Sequence, residues 1–195
     1  MNHKAITITL IALTLAHSTY TLINPQILAR KSPFCLFPEI WESDLQTVNT
    51  AIDFQRYQGK WYEIARLPTP FQEGCFCTEV QYTLQTLTLG VYNMCYDVNG
   101  VITEEARGFA VNINSAKTKN KVYFNIFGGN YWILDIGDSY DYGYVMVGEP
   151  CRDQLWILSR TKTLPTDLLT RLIKKAEGLG YNIYGLIARG KASFC

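Results

Sequence analysis

The feature that most constrains the fold is a series of short segments in which apolar and polar residues alternate. The eight segments are 60–67, 78–84, 89–96, 102–113, 121–126, 131–136, 142–147 and 154–160. Alternation places successive side chains on opposite faces of a strand. Connections of hairpin length, such as Asn99-Gly100, make neighbouring strands antiparallel. A meander of this kind exposes its edges unless it closes. We therefore predict an all-β fold, an eight-stranded antiparallel up-and-down β-barrel.

One helix is predicted after the last segment, over about 165–179. Pro165 suits a first helical turn, Asp167 favours the positive end of the helix, and Gly180 ends it. Apolar residues recur at helical spacing between them, at Leu168, Leu169, Leu172, Ile173, Ala176 and Leu179. A stripe of this width must pack on an apolar surface, and we expect the outside of the barrel to supply it. A further short strand is expected at 182–187.

The N-terminus has the pattern of a secretory signal peptide, which we place at 1–18. Lys4 precedes the apolar run 5–16, and small residues follow at the expected cleavage point. An N-terminal anchor or a buried helix is the alternative interpretation. Residues 19–52 contain three prolines and show no clean periodicity. We expect them to form an N-terminal arm on the surface, so that the barrel domain spans 53–195.

The composition argues against several classes of function. His3 and His17 are the only histidines, and both would leave with the signal peptide. The mature chain could then form no Ser-His-Asp triad, no Cys-His pair and no histidine-bound zinc or haem. The 18 Lys and Arg against 17 Asp and Glu give a formal net charge of +1, which does not favour binding to nucleic acid. We predict no catalytic residues and no cofactor.

Six cysteines follow the predicted signal, at Cys35, Cys75, Cys77, Cys95, Cys151 and Cys195. An even number in a secreted chain indicates three disulfides, although spacing alone leaves many pairings open. A metal site at Cys75 and Cys77 is disfavoured because a one-residue gap is not zinc-ligand spacing. The acidic run Asp135, Asp138 and Asp141 lacks a calcium-binding loop and is interpreted as solvated turns. No metal site is predicted.

Three motifs resemble those of the lipocalin family. They are Gly59-Lys60-Trp61, Asp141-Tyr142-Gly143 and the stretch 148–160, which ends at Arg160. They occur in the family's order, and the resemblance covers the chain from about residue 54 to the C-terminus. The sequence is most similar to the branch that contains apolipoprotein D and the bacterial and plant lipocalins. The run Cys75-Phe76-Cys77-Thr78 also resembles plant chloroplast lipocalins.

The resemblance implies a plugged barrel end and a ligand cavity. Trp61 and Arg160 should meet at the closed end, with the guanidinium over the indole ring. Strand parity then turns Trp156 and Leu158 inward with Arg160, and the counterpart of Tyr82 lines the pocket in the apolipoprotein D branch. The expected cavity residues are Tyr82, Trp156, Leu158, Val122 and Phe124. Core filling is the alternative role for such side chains. The Tyr82 hydroxyl and the Trp156 indole N–H would select the ligand.

The resemblance also implies a disulfide scheme. The pairs carried over are Cys35–Cys151, Cys77–Cys195 and Cys75–Cys95. By parity with Val80, Tyr82 and Leu84, we expect Cys75 and Cys77 to face outward. Which of these two cysteines pairs with Cys195 is therefore left open.

Taken together, these features predict a secreted protein that carries a small lipophilic molecule in a barrel cavity. An enzyme acting on a lipophilic substrate, either an isomerase or a carotenoid-modifying type, is one alternative; the isomerases of the family use a free cavity thiol. An interaction protein with an unused barrel is the other. Delivery to a plastid through an ER-type signal is the alternative location. We expect a monomer or weak dimer, with peripheral membrane contact left open.

Overall fold

A computed structural model describes residues 44–126, 128–189 and 195. The predicted signal peptide and most of the N-terminal arm lie outside these described residues. The strands are β1 (Gly59–Arg66), β2 (Cys77–Leu84), β3 (Leu89–Tyr96), β4 (Ile102–Asn112), β5 (Lys119–Tyr123), β6 (Gly128–Ile136), β7 (Tyr144–Gly148), β8 (Leu155–Ser159) and β9 (Ile187–Ala188). The helices are α1 (Phe54–Tyr57) and α2 (Thr166–Gly178), with a 3-10 turn at Pro70–Gln72.

Strands β1 to β8 close into the predicted eight-stranded antiparallel barrel. Each strand pairs with the next, and β1 closes the circle by pairing with both β2 and β8. The first half of β1, up to Tyr62, lies beside β2. Beyond a bulge between Glu63 and Ala65, the second half lies beside β9 instead. Closure leaves β1 to β8 without a free edge for most of their length.

Apolar side chains form one core inside the barrel and a second core outside it. Trp61, Val145 and Leu158 belong to the inner core. In the outer core, Leu172 and Ala176 of α2 pack over a layer from the barrel wall: Ala65, Leu134, Met146, Leu155 and Ile157. This confirms that the predicted helix packs on the outside of the barrel. None of the helices in the described residues is long and apolar enough to cross a membrane.

Two predicted strand boundaries are wrong. The segment predicted at 121–126 leaves the sheet at Tyr123, because Tyr123 pairs with Gly128 and the chain must turn between them. Alternation with Val122 and Phe124 predicts that Ile126 shares their face, but Ile126 is 87% exposed. The strand predicted at 182–187 is limited to Ile187–Ala188. A turn that contains Gly185, in a left-handed conformation with φ of 89°, interrupts the extended chain before it.

Candidate functional site

The closed end of the barrel is built around Trp61 and Arg160. The indole is fully buried, and the Arg160 guanidinium lies 3.8 Å from its ring centroid. The guanidinium donates to five main-chain carbonyls, those of Arg56, Tyr57, Gln58, Lys60 and Asp141. Gly59 allows this approach, because a Cβ there would lie 3.2 Å from Nη1 of Arg160 and its φ is +101°. These residues plug one end of the barrel, as the resemblance implies.

Asp141 and Tyr142 hold the β6–β7 connection against this plug. Tyr142 has a positive φ of 70°, and its hydroxyl accepts the main-chain N–H of Asp53 at 2.9 Å. Asp53 in turn caps α1 by accepting the N–H of Gln55. The Asp141 carboxylate accepts the N–H of Gly143 at 3.2 Å. The motif residues are therefore joined to one another by hydrogen bonds across the closed end.

Above the plug lies a cavity of about 460 Å³, lined by the inner faces of the strands and open at the opposite end, which we call the mouth. The structure places every one of the expected cavity residues along its wall: Tyr82, Val122, Phe124, Trp156 and Leu158. Phe124 lies just past the end of β5 and is 43% exposed, so it belongs to the mouth. The remaining wall combines apolar side chains, such as Val80, Val91 and Val147, with polar ones that include Asn93, Glu104 and Asn130.

A family model described as a lipocalin-like domain matches residues 52–191, the whole of this barrel and its plug. The chain belongs to the lipocalin family. This lipocalin is 35% identical over 142 residues to temperature-induced lipocalin-1 of Arabidopsis thaliana, with 68% of this chain and 75% of the relative covered. It is 32% identical over 147 residues to the outer membrane lipoprotein Blc of Vibrio cholerae, covering 73% and 85%.

Apolipoprotein D of Bos taurus is 29% identical over 136 residues, with 64% of this chain and 69% of the relative covered. The plant, bacterial and apolipoprotein D branches named from the motifs are thereby confirmed. Insecticyanin from the tobacco hornworm Manduca sexta has the same fold, with a TM-score of 0.56, 20% identity, and coverage of 76% of this chain and 87% of that one.

The polar groups expected to select a ligand are already paired within this lipocalin. The Trp156 indole N–H donates to Oε1 of Gln72 at 2.9 Å, and the Tyr82 hydroxyl bonds to the hydroxyl of Tyr131 at 2.9 Å. The expectation of a free indole N–H is therefore wrong. Its partner comes from the β1–β2 loop, whose position no periodic pattern indicates. Tyr131, in contrast, shares the inner face of β6 with Ile133, and that alternation could have identified it.

Gln72 is the centre of a buried polar network at the mouth. Its side-chain N–H groups donate to Glu63 at 2.7 Å and to Thr78 at 3.1 Å, and its main-chain carbonyl accepts from Arg66 at 3.0 Å. Arg66 also pairs with Glu63 at 2.8 Å. Burial raises the pKa of Glu63, and the adjacent Arg66 opposes that rise. The network holds the β1–β2 loop over the mouth, where the ring of Phe71 lies 6.2 Å from that of Trp156.

The disulfides join Cys75 to Cys95 and Cys77 to Cys195. These are the pairs that the resemblance implies. Cys151 is disulfide-bonded as well, but its expected partner, Cys35, lies outside the described residues. The expectation that Cys75 faces outward is wrong, since Cys75 and Cys95 both line the cavity. Cys75 precedes β2, so strand parity does not govern its direction.

Proposed function

We propose that this lipocalin is a carrier that holds a small hydrophobic molecule in its barrel cavity. The observation that carries the proposal is the 460 Å³ space between the plug and the mouth, walled by valine, leucine and aromatic side chains together with several polar ones. Ligand sites in proteins are commonly about 300–1,000 Å³, apolar, with a few polar groups. The mechanism is burial of the ligand away from water.

The affinity expected from burial is moderate. Removing about 300 Å² of apolar ligand surface from water, at about 25 cal/mol/Å², contributes about 7 kcal/mol. The loss of translational and rotational freedom opposes association. We therefore expect a dissociation constant in the micromolar range. Binding should be tighter for a ligand whose polar groups also form hydrogen bonds with the cavity.

The experiment is a search for endogenous ligand, followed by titration. The protein expressed from its full sequence is examined by native mass spectrometry, and organic extracts are searched for a stoichiometric lipophile. Emptied protein is then titrated with cis-parinaric acid while its tryptophan fluorescence is followed. Saturable quenching, reversed by competing retinoid or fatty acid, is expected. An empty cavity together with linear, unsaturable quenching would refute the carrier function.

We propose that the protein is secreted. Disulfides persist in oxidising compartments and are rare in the cytosol, and the Cys75–Cys95 and Cys77–Cys195 bridges support such an environment. Relatives named apolipoprotein D and outer membrane lipoprotein support a location outside the cytosol. Expression of a fluorescently tagged full chain in its own cells distinguishes the culture medium from the plastid.

The enzyme alternative is opposed by the state of the cavity sulfurs. Cys75 and Cys95 line the cavity and are bonded to each other, so neither offers the free thiol used by the isomerases of the family. A thiol titration of the oxidised protein that finds one reactive cysteine would favour the enzyme over the carrier.

Peripheral membrane contact is supported by apolar side chains around the mouth. Phe71 is 56% exposed and Ile126 87% exposed, and they lie in different loops beside the cavity. A lipophile could pass from a membrane to the barrel with little exposure to water. Flotation with phosphatidylcholine vesicles should therefore weaken in Ile126→Ser. The matched control is Leu87→Ser, because Leu87 is 86% exposed in the β2–β3 connection at the closed end. Equal flotation of both variants would refute the contact.

For the oligomeric state we propose a monomer or weak dimer. Light scattering during gel filtration at several protein concentrations measures it directly. A stable higher oligomer at micromolar concentration would refute the proposal.

A further inference from the structure

Three tyrosine hydroxyls meet at the floor of the cavity. The Tyr131 hydroxyl lies 2.6 Å from that of Tyr57 and 2.9 Å from that of Tyr82. Tyr82 and Tyr131 line the cavity. Tyr57 is 1% exposed and packs on Trp61, with ring centroids 5.1 Å apart. The hydroxyls therefore form a short chain that begins in the plug and ends at the ligand space.

A count of protons shows that this chain has one hydrogen-bond donor to spare. Each phenol has one O–H to donate. The three tyrosines therefore have three donors, but only two hydrogen bonds join them. These hydroxyls make no other hydrogen bond to the part of the chain that the structure describes. If the spare O–H were on Tyr57, it would be buried without an acceptor, which costs free energy. The favoured arrangement has Tyr57 donating to Tyr131, which leaves the spare O–H on Tyr82 or Tyr131.

The surroundings of this donor disfavour a negatively charged acceptor. Burial raises the pKa of the phenols of Tyr57, Tyr82 and Tyr131, so the floor is a poor environment for an anion. Arg160 lies beneath the floor, but its guanidinium is occupied by main-chain carbonyls and by the Trp61 ring. An ionised carboxylate at the floor would lose its hydration and gain a single neutral donor.

We propose that the ligand carries a neutral hydrogen-bond acceptor, such as a carbonyl or ether oxygen, at the end that reaches the floor, where it accepts the spare O–H of Tyr82 or Tyr131. The proposal rests on the carrier function, because it specifies the class of molecule in the same cavity. A spare O–H at the floor would make the cavity bind oxygenated lipophiles more tightly than hydrocarbons. A fatty acid would bind with its chain, rather than its carboxylate, on the floor.

The first test compares three probes of equal length on the wild-type protein: tridecan-2-one, tridecane and tridecanoate. Each is titrated by competition with cis-parinaric acid at neutral pH. One added hydrogen bond predicts that the ketone binds about tenfold more tightly than the alkane. Equal affinities would overturn the proposal while leaving the carrier function intact. Failure of all three to bind would instead count against the carrier function.

The second test uses tyrosine-to-phenylalanine variants. Tyr82→Phe combined with Tyr131→Phe removes both cavity hydroxyls and should abolish the preference for the ketone over the alkane. Tyr57→Phe is the matched control. It removes one O–H and one bond, so a spare O–H remains in the cavity and the preference should persist. Loss of the preference in Tyr57→Phe, or its persistence in the double variant, would overturn the proposal.

Two further readouts keep the test decisive. Tridecanoate affinity should be unchanged in the double variant, and a loss as large as that of the ketone would place the anion on the floor and overturn the proposal. Near-ultraviolet circular dichroism reports whether each variant is folded. If the double variant does not fold, Tyr82→Phe decides. It keeps the Tyr57–Tyr131 bond and a spare O–H, so it must retain the preference, and loss of the preference would overturn the proposal.

Discussion

Replacing Trp61 by alanine should destabilise this lipocalin more than any single change in the cavity wall. The indole is fully buried, and removal of a buried tryptophan costs about 3–5 kcal/mol of unfolding free energy. The Arg160 guanidinium, 3.8 Å from the ring centroid, loses a cation–π contact that contributes about 1–2 kcal/mol. The indole N–H bond to the Tyr57 carbonyl adds little, because Arg160 also donates to that oxygen.

Together these contributions give about 4–7 kcal/mol. For a domain of this size, each kcal/mol lowers the melting temperature by about 2–4 °C. We expect a fall of about 10–25 °C, or outright unfolding at room temperature. Trp61→Phe keeps an aromatic face under the guanidinium, and its fall should be less than half as large.

The assay is thermal and urea unfolding followed by far-ultraviolet circular dichroism, with the disulfides intact. Arg160→Met provides the reciprocal perturbation, because it leaves the indole but removes the charge above it. A melting temperature within a few degrees of wild type for Trp61→Ala would refute the assignment of this pair as the plug.

Three other outcomes are expected. Trp156→Ala should weaken cis-parinaric acid binding about tenfold to a hundredfold, through about 1–3 kcal/mol of lost apolar contact, while its melting temperature moves little; unchanged binding would contradict its place in the wall. Asp135 is not a solvated turn residue, since it lies in β6, is buried, and pairs with Arg171 and Lys175 of α2. Burial alone would raise its pKa, but these cations hold the pKa below its usual value. The stability that Asp135 provides is therefore present above about pH 4 and lost as pH falls. Asp135→Asn should therefore lower stability at neutral pH and flatten the acid limb of a melting-temperature profile, and a parallel profile would contradict this. Peptide mapping without reduction should join Cys35 to Cys151, and a Cys35–Cys195 peptide would refute the disulfide scheme.

The fold and the plug could be predicted because they depend on periodic or motif signals. Alternation of side chains fixes which face of a strand points inward, and hairpin-length turns fix the neighbour of each strand. Gly59, Trp61 and Arg160 were recognisable through the resemblance of their motifs to those of the lipocalin family. The same parity placed Tyr82 and Leu158 on the inner face.

Irregular segments could not be predicted because no period governs them. Gln72 lies in a 3-10 turn of the β1–β2 loop, and its partners Glu63 and Trp156 come from β1 and β8. Phe124 follows a strand end set by the turn between Tyr123 and Gly128, so it lines the cavity at the mouth and not deeper in the barrel. Cys75 faces the cavity for the same reason: it precedes the strand whose parity was applied to it.

The divided pairing of β1 determines where the barrel can open. Between its second half and β2 the ladder is missing, and Arg189 spans the seam by donating to the Glu63 and Thr78 carbonyls at 3.2 and 3.1 Å. The Cys77–Cys195 bridge ties the start of β2 to the C-terminal residue, whose carbonyl accepts from Arg189. Local opening of the barrel should begin at this seam. Amide hydrogens along it should therefore exchange with solvent sooner than those of β6 and β7. A ligand too bulky for the mouth would then leave at the rate at which this seam parts.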